Sequence, residues 1–277
     1  MQIRTPAVAG MFYPGEKNEL KQSIKESFLH KFGPGKFPPS NDRKKIFGII
    51  CPHAGYMYSG PIACQSFYAI SSDIPELFII IGPNHWGVGS NVATMKDCKW
   101  ETPLGQVEVD SDTAEKISKI TNIIEIDSFA HSREHSLEVQ IPFLQEMASN
   151  FKIVPISLID QRKDVSIEIG KSIAKIAKEK KTMIVGSSDF THYEPNEFAH
   201  EQDLALIEPI LELDVDRFYE ILQERNVSAC GYGAIASTMV ACKELGATKG
   251  ELLKYATSGD ITGDKSSVVG YGSIIFT

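Results

Sequence analysis

The chain has 277 residues, 42% of them hydrophobic and 23% charged, which is enough apolar material for a packed core and excludes global disorder. Its formal net charge of −8 argues against a nucleic-acid partner, because phosphate-backbone binding leaves a basic footprint. No apolar run approaches the ~20 residues needed to span a bilayer, and the N-terminus lacks a charged stretch followed by an apolar run and a cleavage site, so the expectation is a soluble, cytoplasmic protein with no membrane partner.

In chain order, the first helical pattern covers 15–32. The stretch KFGPGKFPPSND (31–42) cannot continue it and reads as a linker. What precedes the linker is too short to fold alone, so one domain, 1–277, is expected, with the N-terminal helix packed on the sheet. Strand-like runs at 46–51, 77–81, 152–159 and 182–185 alternate with helical patterns at 61–70, 112–120, 132–147 and 165–179. Helices over 196–211, 214–224 and 231–245 follow, then extended segments at 252–257 and 268–276. This alternation predicts an α/β fold with a largely parallel central sheet and helices on both faces. The glycine-rich TSGDITGDKSSVVGYGS (257–273) lacks the phosphate-loop pattern, and Gly263, Asp264 and Lys265 read as the turn of a hairpin.

The polar residues collect just past the apolar strands. IIC runs into PHAGYMYSG and supplies His53; IIIG runs into PNHWG and supplies His85; IVG runs into SSDFTHYEP and supplies Asp189 and His192. In open α/β sheets the carboxyl ends of parallel strands form the ligand crevice, so these loops are expected to share one polar pocket. Imidazoles on separate loops suit divalent iron, copper or zinc, provided that a further anionic ligand is present. Asp189 and Cys230 are the candidates. Cys230 lies in NVSACGYGAI, where Asn226 or Ser228 could cap the following helix and leave the sulfur near its N-terminus, a location that favours thiolate. The alternative is a small buried apolar cysteine. Cys51, Cys64, Cys98 and Cys242 read as structural. Five cysteines with no C-x-x-C pair make neither a disulfide framework nor a zinc ribbon.

HSREH (131–135) matches the H-x-x-E-H pattern of inverted zinc proteases. That motif needs both histidines on one helix face, whereas Ser132 reads as the N-cap of a helix containing Leu137, Ile141 and Leu144, which leaves His131 outside it. His135 with Glu138 is retained as a pair facing the site.

The segments RTPAVAGMFYPG, PHAGYMYSG, GPNH, EHSLEVQIPFLQ, SSDFTHYEP and SACGYGAI together resemble the Memo family, which is itself similar in fold to class III extradiol (LigB-like) dioxygenases. The resemblance covers nearly the whole chain. It implies a metal pocket at the strand ends, with His53, His85 and Cys230 as metal ligands and Asp189, His192 and His135 as the other polar residues of the pocket, His192 moving protons and Asp189 orienting it. Iron is the first metal expected, with copper or zinc as alternatives. The dioxygenases hold iron with two histidines and a carboxylate; here a cysteine stands where the carboxylate is expected, and fold similarity does not transfer activity. Two functions therefore remain open, a non-haem metal-dependent oxidoreductase acting on a small molecule and a non-catalytic metal- or peptide-binding protein, with thiol or hydrolytic chemistry through Cys230 and His192 as a third. The oligomeric state is not read from the sequence.

Overall fold

Burial of both faces of a central sheet governs how the chain is laid out. The computed structural model describes residues 1–42 and 44–277. In chain order its elements are β1 (Gln2–Arg4), α1 (Lys17–Leu29), β2 (Gly48–Cys51), α2 (Tyr56–Ile70), β3 (Leu77–Pro83), β4 (Val92–Thr94), β5 (Cys98–Thr102), β6 (Gly105–Val109), α3 (Ser111–Ile120) and β7 (Glu125–Ile126). They continue with α4 (Ile141–Met147), β8 (Lys152–Leu158), α5 (Lys163–Glu179), β9 (Thr182–Ser187), β10 (His192–Glu194), α6 (Asn196–Leu211), α7 (Val215–Glu224), α8 (Tyr232–Glu244), β11 (Gly250–Thr257), α9 (Ser258–Thr262) and β12 (Val268–Phe276).

The centre of the sheet is a parallel run in the order β6, β8, β3, β9, β2. Every residue of β3, LFIIIGP, is buried, as expected of a strand covered on both faces. Antiparallel strands close the edges: β5 on β6, and β12 on β2 with β11 beyond it. Helices α3, α5 and α8 pack on one face, and α2, backed by α1 and α4, packs on the other. The α/β class with a largely parallel sheet, expected from the sequence, is the architecture observed. Among the described residues no helix is long and apolar enough to cross a membrane.

Two expectations are corrected. The pattern 132–147 is not one helix: 3-10 turns at Phe129–His131 and Glu138–Gln140 precede α4. Ser132 is the C-cap of the first 3-10 turn and not the N-cap of a helix; its amide and its hydroxyl both donate to the Phe129 carbonyl, the hydroxyl at 2.7 Å. The cause is a buried polar node. Arg4 forms an ion pair with Glu138, both fully or nearly fully buried, and donates to the His131 carbonyl at 3.1 Å and the Glu134 carbonyl at 2.6 Å. Carbonyls engaged in this way do not run a helical ladder. Glu138 also accepts from the Ala7 and Val8 amides at 2.8 and 3.1 Å and from the Tyr13 hydroxyl at 2.6 Å, so it faces the N-terminal segment and not the site. Secondly, the 257–273 stretch is no tight hairpin; β11 and β12 do pair antiparallel, but α9 lies between them and Gly263, at φ 91°, ends that helix.

Removing one partner of a buried ion pair leaves an uncompensated charge and costs about 3 to 5 kcal/mol. Arg4→Ala is expected to lose stability on that scale in urea denaturation. A loss below about 1 kcal/mol would show that the node contributes little beyond an ordinary hydrogen bond.

Candidate functional site

Sheet register sets the site. Cys51 of β2 lies opposite Ser187 of β9, and Ile81 of β3 opposite Gly186, so three neighbouring parallel strands end almost level. Their loops bring His53, His85 and Asp189 to a cavity of about 770 Å³, whose wall also includes His135 and His192. Cys230 reaches the same floor from the loop before α8, where Gly231 lets the chain pass close: a Cβ there would sit 2.4 Å from the Ser187 carbonyl oxygen.

One nitrogen of His53, one of His85 and the Cys230 sulfur lie within 4.8 Å of one another. The sulfur is 3.1 Å from His53 Nε2. Ring states follow from the partners behind them. Ser187 Oγ donates to the Ser136 carbonyl at 2.7 Å and accepts from Gln140 Nε2 at 2.9 Å. Its 2.8 Å contact with His53 Nδ1 therefore has the ring N–H donating, which leaves Nε2 with its lone pair towards Cys230. Across the cavity, Glu134 Oε1 accepts from His85 Nδ1 at 2.9 Å while Oε2 accepts the His85 amide at 2.6 Å; His85 Nε2 is likewise free. His192 donates Nδ1–H to the Ser228 carbonyl at 2.9 Å and its amide to Ser228 Oγ at 2.8 Å. Tyr193 beside it is exposed and left-handed, φ 60°, a conformation unusual for a bulky residue and typical of strained functional loops.

The electrostatics follow from burial. Desolvation, aided by His85 and His135, holds His53 well below the usual imidazole range, and burial lowers His135 to about 4. Burial alone would raise Glu134, but the bonds from His85 and the charges around it bring it down to about 2. Asp189 is raised by burial to about 6 although the His53 and Ala54 amides oppose the rise. Cys230 is half-buried as a residue, yet protein crowds its sulfur; that desolvation, with Asp189 adjacent, pushes the thiol far above its ordinary value.

The sequence-predicted residues His53, His85, Cys230, Asp189, His192 and His135 thus meet around one cavity. His135 stacks on His85 with centroids 4.5 Å apart and meets His53 edge-on at 5.5 Å. Three details differ from expectation. Neither Asn226 nor Ser228 caps α8; Gly231 is its N-cap, Asn226 is left-handed, and Ser228 is spent on His192. Burial and the neighbouring Asp189 raise the Cys230 thiol, opposing the thiolate form expected from a helix terminus. Asp189 orients His53, by accepting its amide at 2.8 Å, while Ser228 orients His192. Sequence reasoning missed Glu134 and Ser187. Glu134 stands beside His135 in the motif, but its partner lies across the sheet; Ser187 is the first serine of SSDFTHYEP and looks like a strand end. Cys51, Cys64, Cys98 and Cys242 are buried.

An α/β sheet with imidazole, carboxylate and thiol groups gathered at the carboxyl ends of its parallel strands defines a pocket protein. More particularly, the chain belongs to the Memo family: a family model described as Memo-like protein matches residues 4–275. A MEMO1 family protein of Nitrosopumilus maritimus is 62% identical over 275 residues, covering 99% of each chain. Another, of Methanocaldococcus jannaschii, is 47% identical over 284 residues, again covering 99% of each. Among solved structures, an uncharacterized protein of Escherichia coli K12 has a TM-score of 0.59 at 12% identity, covering 83% of this chain and 100% of that one, a likeness of fold.

His131, the other histidine of HSREH, is not part of this cavity. It is fully buried, its ring 5.9 Å from that of Trp100. Among the described residues neither ring nitrogen has a hydrogen-bond partner of good geometry, although the Ala93 backbone lies close enough to favour the charged ring slightly. His131 and His135 thus face different surroundings, and the zincin arrangement is absent. Burial, then Arg4, lowers His131 from 6.5 to about 3. The unfolded chain takes up this proton first on acidification, so stability is complete above pH 6.5 and is lost as the pH falls towards 3. Relative to His131→Leu, the parent is expected to lose ~1.4 kcal/mol per pH unit within that window. Urea denaturation across pH measures it; a pH-independent difference would contradict a neutral, buried His131.

Proposed function

We propose that His53, His85 and Cys230 hold a divalent metal, iron first and copper or zinc as alternatives, beneath a pocket that takes a small molecule or peptide. The observation that carries this reading is the convergence of the three donor atoms within 4.8 Å, two of them imidazoles whose second nitrogens are fixed by Ser187 and Glu134. Ligand histidines characteristically donate the other N–H to such partners. The donor set fits an ion: bond lengths of about 2.0 Å to nitrogen and 2.3 Å to sulfur imply donors roughly 3.5 Å apart around a tetrahedral centre, near the 3.1 Å between Cys230 and His53.

A bound ion would supply Lewis-acid or one-electron chemistry to a ligand in the cavity. Cys230 must release its proton to join, and a cation offsets the repulsion between that thiolate and Asp189; loading therefore weakens in acid. His192, with Nδ1–H committed to Ser228, presents Nε2 as a proton acceptor for a ligand hydroxyl, amine or thiol. Asp189 fixes the main chain of His53, and His135 walls the histidine pair from the side of Phe12, 4.6 Å from its ring. This arrangement suits a non-haem oxidoreductase of dioxygenase-like type. A thiolate donates more charge than the carboxylate of the two-histidine-one-carboxylate centres, and so favours a different metal potential and admits copper.

Anaerobic purification followed by elemental analysis tests the ligand set. The parent is expected to retain metal, and His53→Ala and Cys230→Ser to retain at least ~10-fold less at equal fold content. Equal metal in parent and variants overturns the assignment.

A further inference from the structure

The first amides of a helix have no intrahelical acceptor, and Gly231, the N-cap of α8, has no side chain to offer one. The acceptor comes from another loop. Gln161, half-buried between β8 and α5, accepts the Gly233 amide on Oε1 at 2.8 Å, while its Nε2 donates to the Cys230 carbonyl at 2.9 Å. One planar amide thus grips both sides of Gly231, where the chain turns from Cys230 into the helix. The approach is close: a Cβ on Gly233 would sit 2.8 Å from that of Gln161. Gln161 is itself held, its carbonyl accepting from the Tyr219 hydroxyl of α7 at 2.7 Å, and that hydroxyl lies 2.9 Å from Ser166 Oγ of α5. The same turn is tied to the residues after β9, the Cys230 amide donating to the Asp189 carbonyl at 3.2 Å and the Gly231 amide to Ser188 Oγ at 3.0 Å.

We propose that Gln161 is a positioning residue of the site formed by His53, His85 and Cys230, fixing the turn from which the Cys230 sulfur reaches His53. The proposal rests on reading these three residues as the ligand set. Gln161 is not among the described residues that line the cavity, so it acts on the site through Cys230. Only an amide satisfies both contacts. A carboxylate would accept from Gly233 but set its other oxygen against the Cys230 carbonyl, and a methionine of similar length would leave both main-chain groups unpaired. The sulfur stands 3.1 Å from His53 Nε2, and ligand distances in metal sites hold to about 0.2 Å, so freedom in this turn is felt at the site.

Titration of the metal-free, full-length chain with cobaltous ion tests it in the parent, Gln161→Glu and Gln161→Met, at a temperature where circular dichroism shows all three folded. The parent is expected to develop a sulfur-to-cobalt charge-transfer band. Both variants are expected to bind cobalt ~10-fold more weakly, with that band weakened at saturation, a change that a mere loss of fold stability does not produce. A second arm needs no metal. Iodoacetamide alkylation of Cys230, the other four cysteines being buried, is expected to run at least ~3-fold faster in both variants, because a lost hydrogen bond frees the turn. Cobalt affinity and band equal to those of the parent, or an unchanged alkylation rate, overturns the role given to Gln161. A parent without the band overturns the ligand set instead, and the alkylation arm still decides whether Gln161 holds Cys230.

Discussion

The ion pair between Arg4 and Glu138 is the contact from which the pocket's near wall is hung. A charge taken out of water needs its partner and its hydrogen bonds at once, and here the demand is met by two stretches distant in sequence. Arg4 gathers the carbonyls of His131 and Glu134; Glu138 gathers the amides of Ala7 and Val8 and the hydroxyl of Tyr13. The segment so anchored runs on to Phe12, whose carbonyl accepts from the amide of Tyr56, in the first turn of α2. Its ring then rests against His135. The N-terminal strand, the irregular segment before α4 and the helix after His53 are thereby one assembly, and the histidines stand on it.

A second economy lies behind the cavity imidazoles. Ser187 has one proton and two lone pairs, and the structure uses all three: the proton for Ser136, the lone pairs for Gln140 and His53. Nothing remains to let the imidazole turn over. Glu134 does the same for His85 with both oxygens, binding ring and main chain together. The chemistry open to the cavity is thus decided a layer behind it, by groups that never face the ligand.

This explains what could and could not be read from the sequence. Apolar runs that end in PHAG, GPNH and SSDFTH announce parallel strands and the loops beyond them, because a strand covered on both faces has no polar residues to blur its limits. His53, His85, Asp189 and His192 were legible for that reason. Cys230 and His135 were candidates from their local sequence, which left alternatives open, and the likeness of whole motifs strengthened both. The segment 132–147 carries apolar residues at helical spacing yet becomes helical only at Ile141, after a 3-10 turn at Glu138–Gln140, with Arg4 bound to the carbonyls of His131 and Glu134 before it. No local pattern reports a partner more than a hundred residues away. The short strands β1, β4 and β7 were illegible too, being only two or three residues long.

The level ends of β2, β9 and β3 make the sheet a ruler for the pocket. Side chains alternate between faces along a strand, so a shift of β9 by a single residue would put Gly186 in the place of Ser187 opposite Cys51 and turn the serine hydroxyl to the opposite face. His53 would lose the acceptor that sets its proton. Selection on the chemistry of the cavity is therefore also selection on strand length: a deletion in the middle of β9, far from any ligand and neutral in hydrophobicity, would reach the site as surely as replacing a histidine.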